Sequence, residues 1–303
     1  MITLRQLRFL TALADELNFS RAAEVCFVTQ PTLSAGLKEL EQTLGVQLAE
    51  RSKRHVILTP IGEEIAERAR HLLLDAREIE DLAALHKAPE EGDLRLGAIP
   101  TLGPFLIPRA LPAIRAAYPR LRLYLREEMT ESLLDGLATG RLDVVLIAQP
   151  FDIGAVEAEP LFDDGYHLAS PPGWDKPAKT PLSGAELEGA RLMLLEHGHC
   201  LQRHALRAFP DRDIQQDDSF SATSLPTLIS MVSEGLGITL LPDLAIDAGV
   251  LAGQKVNIAP LADACPRHVI LAWRPTSARK PVFRALAQIF RDTRDNLRQQ
   301  RAT

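Results

Sequence analysis

The sequence predicts an all-α N-terminal module closed by a small hairpin, then a long linker helix, then an α/β domain in two lobes. Three observations carry this. Apolar residues at helical spacing fill the first sixty positions, residues 63–85 carry a seven-residue apolar repeat without Gly or Pro, and after residue 92 short apolar strands alternate with helical stretches. At 303 residues the chain has the length of about two domains of ~150 residues. The expected limits are 1–60 for the first module, 61–91 for the linker helix and hinge, and 92–303 for the two-lobed part. Within that part, lobe I is expected at about 92–160 and 267–303, and lobe II at about 161–266.

Leu4, Leu7, Leu10, Leu13, Ala14 and Leu17 form one apolar stripe and predict a helix from Leu4 to Leu17. Ser20 is the expected cap of a second short helix, Arg21 to Val25. Thr29, Gln30 and Pro31 then open a third helix, which hides Leu33, Leu37, Leu40 and Leu44 and stops at Gly45. Its other side shows Gln30, Thr32, Ser34 and Lys38. Gln47 to Thr59 reads as a β-hairpin with the basic tip Arg51-Ser52-Lys53-Arg54. In the long helix, Ile65, Ala69, Leu72, Ala76, Ile79 and Ala83 repeat at 4, 3, 4, 3, 4 between charged faces, which fits pairing with a second copy of the chain. Further on, Leu94 to Ile99, Leu121 to Arg126 and Leu142 to Ala148 are strands, the last apolar enough for a buried parallel sheet. Leu106 to Tyr118 and Thr130 to Thr139 are helices between them. Arg191 to Leu195, Thr223 to Glu234 and Gly237 to Leu241 supply strand, helix and strand of a second lobe.

Composition removes several classes. Apolar residues at 46% and charged residues at 24% exclude disorder and a collagen repeat. No apolar run reaches the ~18 residues of a membrane span, and Arg5, Arg8, Asp15 and Glu16 interrupt any signal-peptide core, so the expectation is a cytoplasmic protein without membrane contact. Three widely spaced cysteines, Cys26, Cys200 and Cys265, argue against a disulfide framework. A net charge of −6 opposes nucleic acid in bulk, and residues 1–60 hold seven Lys/Arg against six Asp/Glu, a balance of +1. Any contact with DNA must therefore be local.

Two constellations carry chemistry. The second and third helices read as a helix-turn-helix, in which Gln30, Thr32 and Ser34 meet base edges and Arg51, Lys53 and Arg54 meet phosphates. A structural three-helix module explains the same pattern as well. Later, His197-Gly198-His199-Cys200-Leu201-Gln202-Arg203-His204 gathers three imidazoles around a thiol. The spacing matches no standard zinc pattern, so no metal and no cofactor is expected. A Cys-His hydrolase lacks a third orienting group, so the chain does not read as an enzyme. The bland reading is an inert thiol beside surface histidines. The sharper one takes His199, Arg203 and His204 as cations that lower the thiol pKa, and only the thiolate attacks peroxide.

Phe19-Ser20-Arg21-Ala22-Ala23, Val28-Thr29-Gln30-Pro31-Thr32-Leu33-Ser34, Leu40-Glu41-Gln42-Thr43-Leu44-Gly45 and Leu58-Thr59-Pro60-Ile61-Gly62 closely resemble the LysR-type transcriptional regulators. Glu196, Gly198-His199-Cys200-Leu201, Ile99 to Phe105, Ala222-Thr223-Ser224-Leu225 and Gly237 to Pro242 are similar to the OxyR hydrogen-peroxide sensor branch of that family. The resemblance implies a winged helix-turn-helix whose DNA contacts are Gln30, Pro31, Thr32, Ser34, Lys38, Arg51, Lys53 and Arg54. It implies a linker helix that dimerises through Ile65, Leu72 and Ile79, an effector domain like a periplasmic binding protein, and a homotetramer made of two dimers. Promoter DNA, further copies of the chain and RNA polymerase are the implied partners, with hydrogen peroxide as the signal. Cys200 matches the cysteine oxidised first, and Thr101, Thr130, His199 and Thr223 match a peroxide pocket. Two positions depart: Ala49 stands where the family usually carries a larger apolar residue, and Phe209 stands where the sensors carry a second cysteine, so no disulfide of the usual kind within the chain is expected. Cys265 replaces that cysteine only if it lies within reach, while Cys26 is expected in the core. The alternative is a LysR-type regulator answering a small organic effector bound between the lobes.

Overall fold

The computed structural model describes residues 1–51, 56–87, 91–174, 181–196, 200–209, 214–217 and 219–302, and their side chains except those at 51, 81, 84–87, 200, 206 and 302. Two compact units form, residues 1–87 with 138–140, and residues 88–137 with 141–303.

The first unit contains α1 (Leu4–Glu16), α2 (Phe19–Val25), α3 (Gln30–Leu44), β1 (Ala49–Arg51), β2 (Val56–Leu58) and α4 (Pro60–Lys87). Thr3 and Gln6 cap α1 reciprocally, each side chain accepting the other's amide. The cap of α2 is Asn18, not the expected Ser20. Its extended backbone aims Oδ1 at the amides of Ser20 and Arg21, at 2.9 and 3.1 Å, so the helix starts two residues before the expected Arg21. Thr29 caps α3, and Gly45, at φ 73, ends it. Leu33, Leu37 and Leu40 of α3 are buried against Phe9, Leu10 and Leu13 of α1, each side chain stabilising the unit by roughly 1.5–3 kcal/mol. Close crossing of the two helices requires Gly36, because a β-carbon there would stand 2.7 Å from the Phe9 ring.

Strands β1 and β2 pair antiparallel, Ala49 opposite Leu58 and Arg51 opposite Val56. The Glu41 carboxylate ties their root to α3 by accepting the Leu48 and Ala49 amides at 2.9 and 3.3 Å. Thr59 ties it to α4, its hydroxyl donating to the Gln47 carbonyl at 2.8 Å and accepting the Gly62 amide at 3.0 Å. The seam expected along α4 divides. Ile65 packs partly on the core of this unit and Ala66 and Ala69 are buried, whereas Leu72, Ile79 and Leu82 are 48, 70 and 62% exposed. The helix turns its first two turns inward because the hairpin and α1 cover them; further on Leu74 is buried beside Gly140, while Leu72, Ile79 and Leu82 stay open among the described residues.

The second unit runs β3 (Gly92–Ala98), α5 (Gly103–Ala117), β4 (Leu121–Glu127), α6 (Thr130–Ala138), β5 (Val144–Gln149), β6 (Glu157–Asp164), β7 (Tyr166–Ser170), β8 (Arg191–Leu192), α7 (Cys200–Arg207), β9 (Gln215–Gln216), α8 (Leu225–Ser233), β10 (Thr239–Pro242), α9 (Asp243–Asp247), β11 (Asn257–Pro260), β12 (Arg267–Trp273) and α10 (Lys280–Ala302). One sheet has the order β4-β3-β5-β12-β6 and another β10-β7-β11, with β8 and β9 paired separately. Strand β3 is parallel to β4 and β5, as a βαβ alternation requires, but β12 is antiparallel to both β5 and β6. The parallel expectation therefore holds for half of the first sheet. Val144 to Ala148 of β5 are fully buried, which explains their unbroken apolar run. The chain leaves this sheet only after Asp164, four residues past the expected limit of about 160, and comes back to it at Arg267.

Candidate functional site

In the first unit, α3 presents a polar N-terminal face built by its apolar periodicity. With Leu33, Leu37 and Leu40 turned inward, Gln30, Pro31, Thr32 and Lys38 are exposed and Ser34 is half-buried. Gln30 accepts a hydrogen bond from the Ser20 hydroxyl at 3.3 Å, and Thr32 shares one with Thr29 at 2.8 Å. Both side chains are thereby held in place without being covered. Arg51 lies at the end of β1, with its side chain outside the described residues, as are Lys53 and Arg54 entirely.

In the second unit, Thr101 and Thr130 follow the carboxyl ends of the adjacent parallel strands β3 and β4, the edge at which α/β sheets bind ligands. Both are buried. Arg267, at the start of β12, donates from Nη1 to the Thr101 hydroxyl at 2.7 Å and from Nη2 to the Thr101 carbonyl at 3.1 Å. The same guanidinium holds Asp164 from Nε and Nη2 at 3.1 and 2.8 Å, and Asp164 accepts the Leu244 amide at 2.8 Å. Arg267 and Asp164 are wholly buried. The Thr130 hydroxyl, in contrast, is buried with no hydrogen-bond partner.

Helix α7 reaches the Thr130 position. Cys200 opens this helix, and Arg203, one turn on, approaches Glu131 beside Thr130 at 3.8 Å and lies over the Phe151 ring at 4.4 Å. His204 follows, 3% exposed, with neither ring nitrogen in a hydrogen bond of ordinary geometry. Burial, then the nearby charges of Arg267, Arg203 and Arg207, push its pKa down to about 4 against the opposing pull of the Pro150 carbonyl. His204 is therefore neutral near pH 7. This corrects the expectation that it is one of the cations around Cys200; Arg267, paired with Asp164, is one of the charges that hold it neutral. A cavity of about 180 Å³ is lined by His204, Arg207, Arg267, Tyr166 and Cys265 among others.

The remaining expected residues fall differently. Thr223 is exposed, and the Glu196 amide, bonded to the Ala222 carbonyl at 3.0 Å, brings the 196 end of the chain beside it. His199 lies outside the described residues. Phe209 is buried, its ring against Gly184, so it is a core side chain. Cys26 is buried too, its thiol directed at the Arg8 carbonyl at 3.7 Å and its pKa raised by burial. Cys265 is exposed, and its amide donates to the Ala208 carbonyl at 2.8 Å, at the C-terminal end of α7. Among the described residues no three His, Cys, Asp or Glu side chains form a metal site, and no helix is long and apolar enough to cross a membrane.

Residues 4–63 match the family described as bacterial regulatory helix-turn-helix protein, lysR family, and residues 87–295 match the LysR substrate binding domain. The chain is 38% identical over 290 residues to the HTH-type transcriptional regulator EstR of Acinetobacter baylyi, covering 95% of this chain and 96% of that one. It is 36% identical over 296 residues to the DNA-binding transcriptional dual regulator OxyR of Escherichia coli, covering 97 and 96%. A full-length OxyR variant from Pseudomonas aeruginosa superposes with a TM-score of 0.79 at 38% identity, covering 96 and 95% of the two chains. A hydrogen-peroxide-bound OxyR variant from Corynebacterium glutamicum gives 0.65 at 31% identity, covering 97 and 93%. The chain belongs to the LysR-type transcriptional regulators, DNA-binding proteins that are not enzymes.

Proposed function

We propose that this regulator senses hydrogen peroxide through Cys200 and transmits the signal to promoter DNA and RNA polymerase as a homotetramer of two dimers. The Thr130 hydroxyl supports this reading most directly. A buried hydroxyl without a partner costs about 1–3 kcal/mol, and Thr130 begins α6 beside the helix that Cys200 opens. Hydrogen peroxide, with two donors and two acceptor oxygens, can satisfy such a group. Thr101, Thr130, His199 and Thr223 are the residues assigned to hold it, and the guanidinium of Arg203, one turn along α7 from Cys200, favours a thiolate there. The thiolate attacks one peroxide oxygen, the O–O bond breaks, and the departing hydroxide takes a proton to become water. Cys200 is left as a sulfenic acid. A new polar group in a packed pocket biases the arrangement of the lobe and hence the spacing of paired DNA-binding units.

On the DNA side, Gln30, Pro31, Thr32, Ser34 and Lys38 read the major groove while Arg51, Lys53 and Arg54 meet phosphates. Leu72 and Ile79, open on the single chain, join two copies, and Ile65, which packs partly on the chain's own core, lies outside that seam. The test titrates the full chain with peroxide and, separately, with small organic acids while its DNA footprint is followed. A footprint that shifts with peroxide and not in Cys200→Ser supports the reading. A shift with an organic acid and none with peroxide replaces it with a small-effector regulator.

A further inference from the structure

Helix α2 ends in a left-handed turn occupied by an aromatic residue. Cys26 closes the helix, and Phe27 follows at φ 55. The Phe27 amide donates to the Glu24 carbonyl and the Val28 amide to the Ala23 carbonyl, both at 3.0 Å. This pair of bonds is how helices commonly end on a left-handed residue, and glycine takes that position without strain. A β-carbon there crowds the backbone. Phe27 recovers nothing by packing, since its side chain is 90% exposed. The position thus breaks a backbone rule and a burial rule together, and such uncompensated breaks concentrate at functional sites.

The turn leads through Val28 and Thr29 directly into Gln30, the first residue of α3. In a helix-turn-helix the N-terminal residues of the second helix meet base edges while the first helix crosses the backbone. The turn between them therefore stands against the wall of the same groove. The apolar feature a B-form duplex offers there is the C5-methyl group of thymine. An aromatic ring held out in water three residues ahead of Gln30 is placed and shaped for that methyl.

We propose that Phe27 is a specificity-determining residue of the DNA interface, its ring packing on a thymine methyl beside the bases read by Gln30 and Thr32. The inference rests on α3 being the recognition helix. The test uses the full-length chain and a duplex that the wild-type chain selects from a randomised pool. Phe27→Gly removes ring and strain, and Phe27→Asn removes the ring while tolerating the left-handed backbone. Both variants should melt no earlier than wild type yet bind the selected duplex about tenfold more weakly, with affinity for an unrelated duplex unchanged. Each thymine is then replaced in turn by uracil, which deletes only the methyl. One replacement should weaken wild-type binding about fourfold, the worth of one buried methyl, and leave both variants unaffected. Wild-type affinity in the two variants overturns the inference alone, as does an equal uracil loss in all three proteins. Failure of the wild-type chain to select any duplex overturns the recognition-helix reading and this inference with it.

Discussion

Arg267 donates to the Thr101 hydroxyl at 2.7 Å while holding the Asp164 carboxylate at 2.8 Å, and all three residues are buried. One guanidinium so fixes the turn after β3, the end of β6 and the start of β12. The network closes on Thr101, whose hydroxyl has its partner, whereas the Thr130 hydroxyl, just past the end of the adjacent strand β4, has none among the described residues. Asp164 passes the constraint on, through the Leu244 amide, to the first turn of α9.

Breaking this pair from one side should be severe. Arg267→Met leaves buried Asp164 with only the more distant Arg294 guanidinium, at 4.0 Å, against its charge, and breaking such a pair costs about 3–5 kcal/mol. Asp164→Asn in the Arg267→Met background removes the stranded charge and should recover a large part of that loss. Urea unfolding of the single and double variants checks this. Additive losses would contradict a coupled pair.

Stability should fall as pH drops from about 6.5 towards 4. His204 is neutral in the folded chain down to about pH 4, whereas the unfolded chain takes up a proton on this residue below about 6.5. The unfolded state binds more protons across that window, so acid favours unfolding, by up to about 3 kcal/mol at its lower end. Asp243 adds to this only lower down. Burial raises its pKa, but the His167 hydrogen bond at 2.7 Å and the charges of His167, Arg294 and Arg301 outweigh burial, so its share is lost below the ordinary carboxylate range. His204→Leu should flatten the thermal-melting profile between pH 4 and 6.5 and leave the steeper fall below it.

What the sequence made legible was periodic. Leu33, Leu37 and Leu40 place α3, and five successive apolar residues place β5, because each repeats at the spacing of its element. What it hid depended on partners distant in sequence. Arg267 looks like a surface charge ahead of an apolar strand until Asp164, 103 residues earlier, is brought against it. His204 reads as a cation among arginines, and only folding removes the water that would keep it protonated. The repeat on α4 is real, but nothing in its spacing says that Ile65 is taken by the chain's own core while Leu72 and Ile79 are left open. Strands β6, β7, β11 and β12 and helix α10 went unread, because their patterns are short, two-sided or charged.

Substitutions on the DNA-binding face should separate affinity from specificity. Arg51→Ala or Arg54→Ala should weaken binding to every duplex and reduce the slope of log affinity against log salt by about one, as loss of one phosphate contact requires. Gln30→Ala or Thr32→Ala should relax base preference with the salt slope unchanged. Fluorescence anisotropy over a salt series reads both quantities. A chain lacking residues 1–60 that still bound promoter DNA would contradict the assignment.

Leu72→Asp should dissolve the dimer. Leu72 is half exposed in the single chain, so a carboxylate there is tolerated by one copy. In a paired seam the same change buries one charge per copy, which costs several kcal/mol unless a partner meets it. Light scattering should report at most half of the wild-type mass, with circular dichroism unchanged. An unchanged mass would place the dimer interface elsewhere.

Mild peroxide should add one oxygen to Cys200 and form no bridge within the chain. The second thiol available beside this helix is Cys265, but its amide is bonded to the Ala208 carbonyl, at the opposite end of α7 from Cys200. Eight helical residues separate Cys200 from Ala208, about 12 Å along the axis at ~1.5 Å per residue. A disulfide requires Cα atoms within ~7 Å. While α7 stays wound, this separation disfavours a Cys200–Cys265 bridge, and Phe209 brings a ring packed on Gly184 where a thiol would be needed. The sulfenic acid must persist or pass to an external thiol, so added glutathione should give a mixed disulfide at Cys200 instead. Cys200→Ser should abolish the transcriptional response and keep basal DNA binding, whereas Cys26→Ser should leave the response intact, since burial holds that thiol in its unreactive form. Peptide mass spectrometry of treated protein decides the matter. A Cys200–Cys265 crosslink would show that α7 unwinds on oxidation, and an unmodified Cys200 with an intact response would remove peroxide as the signal.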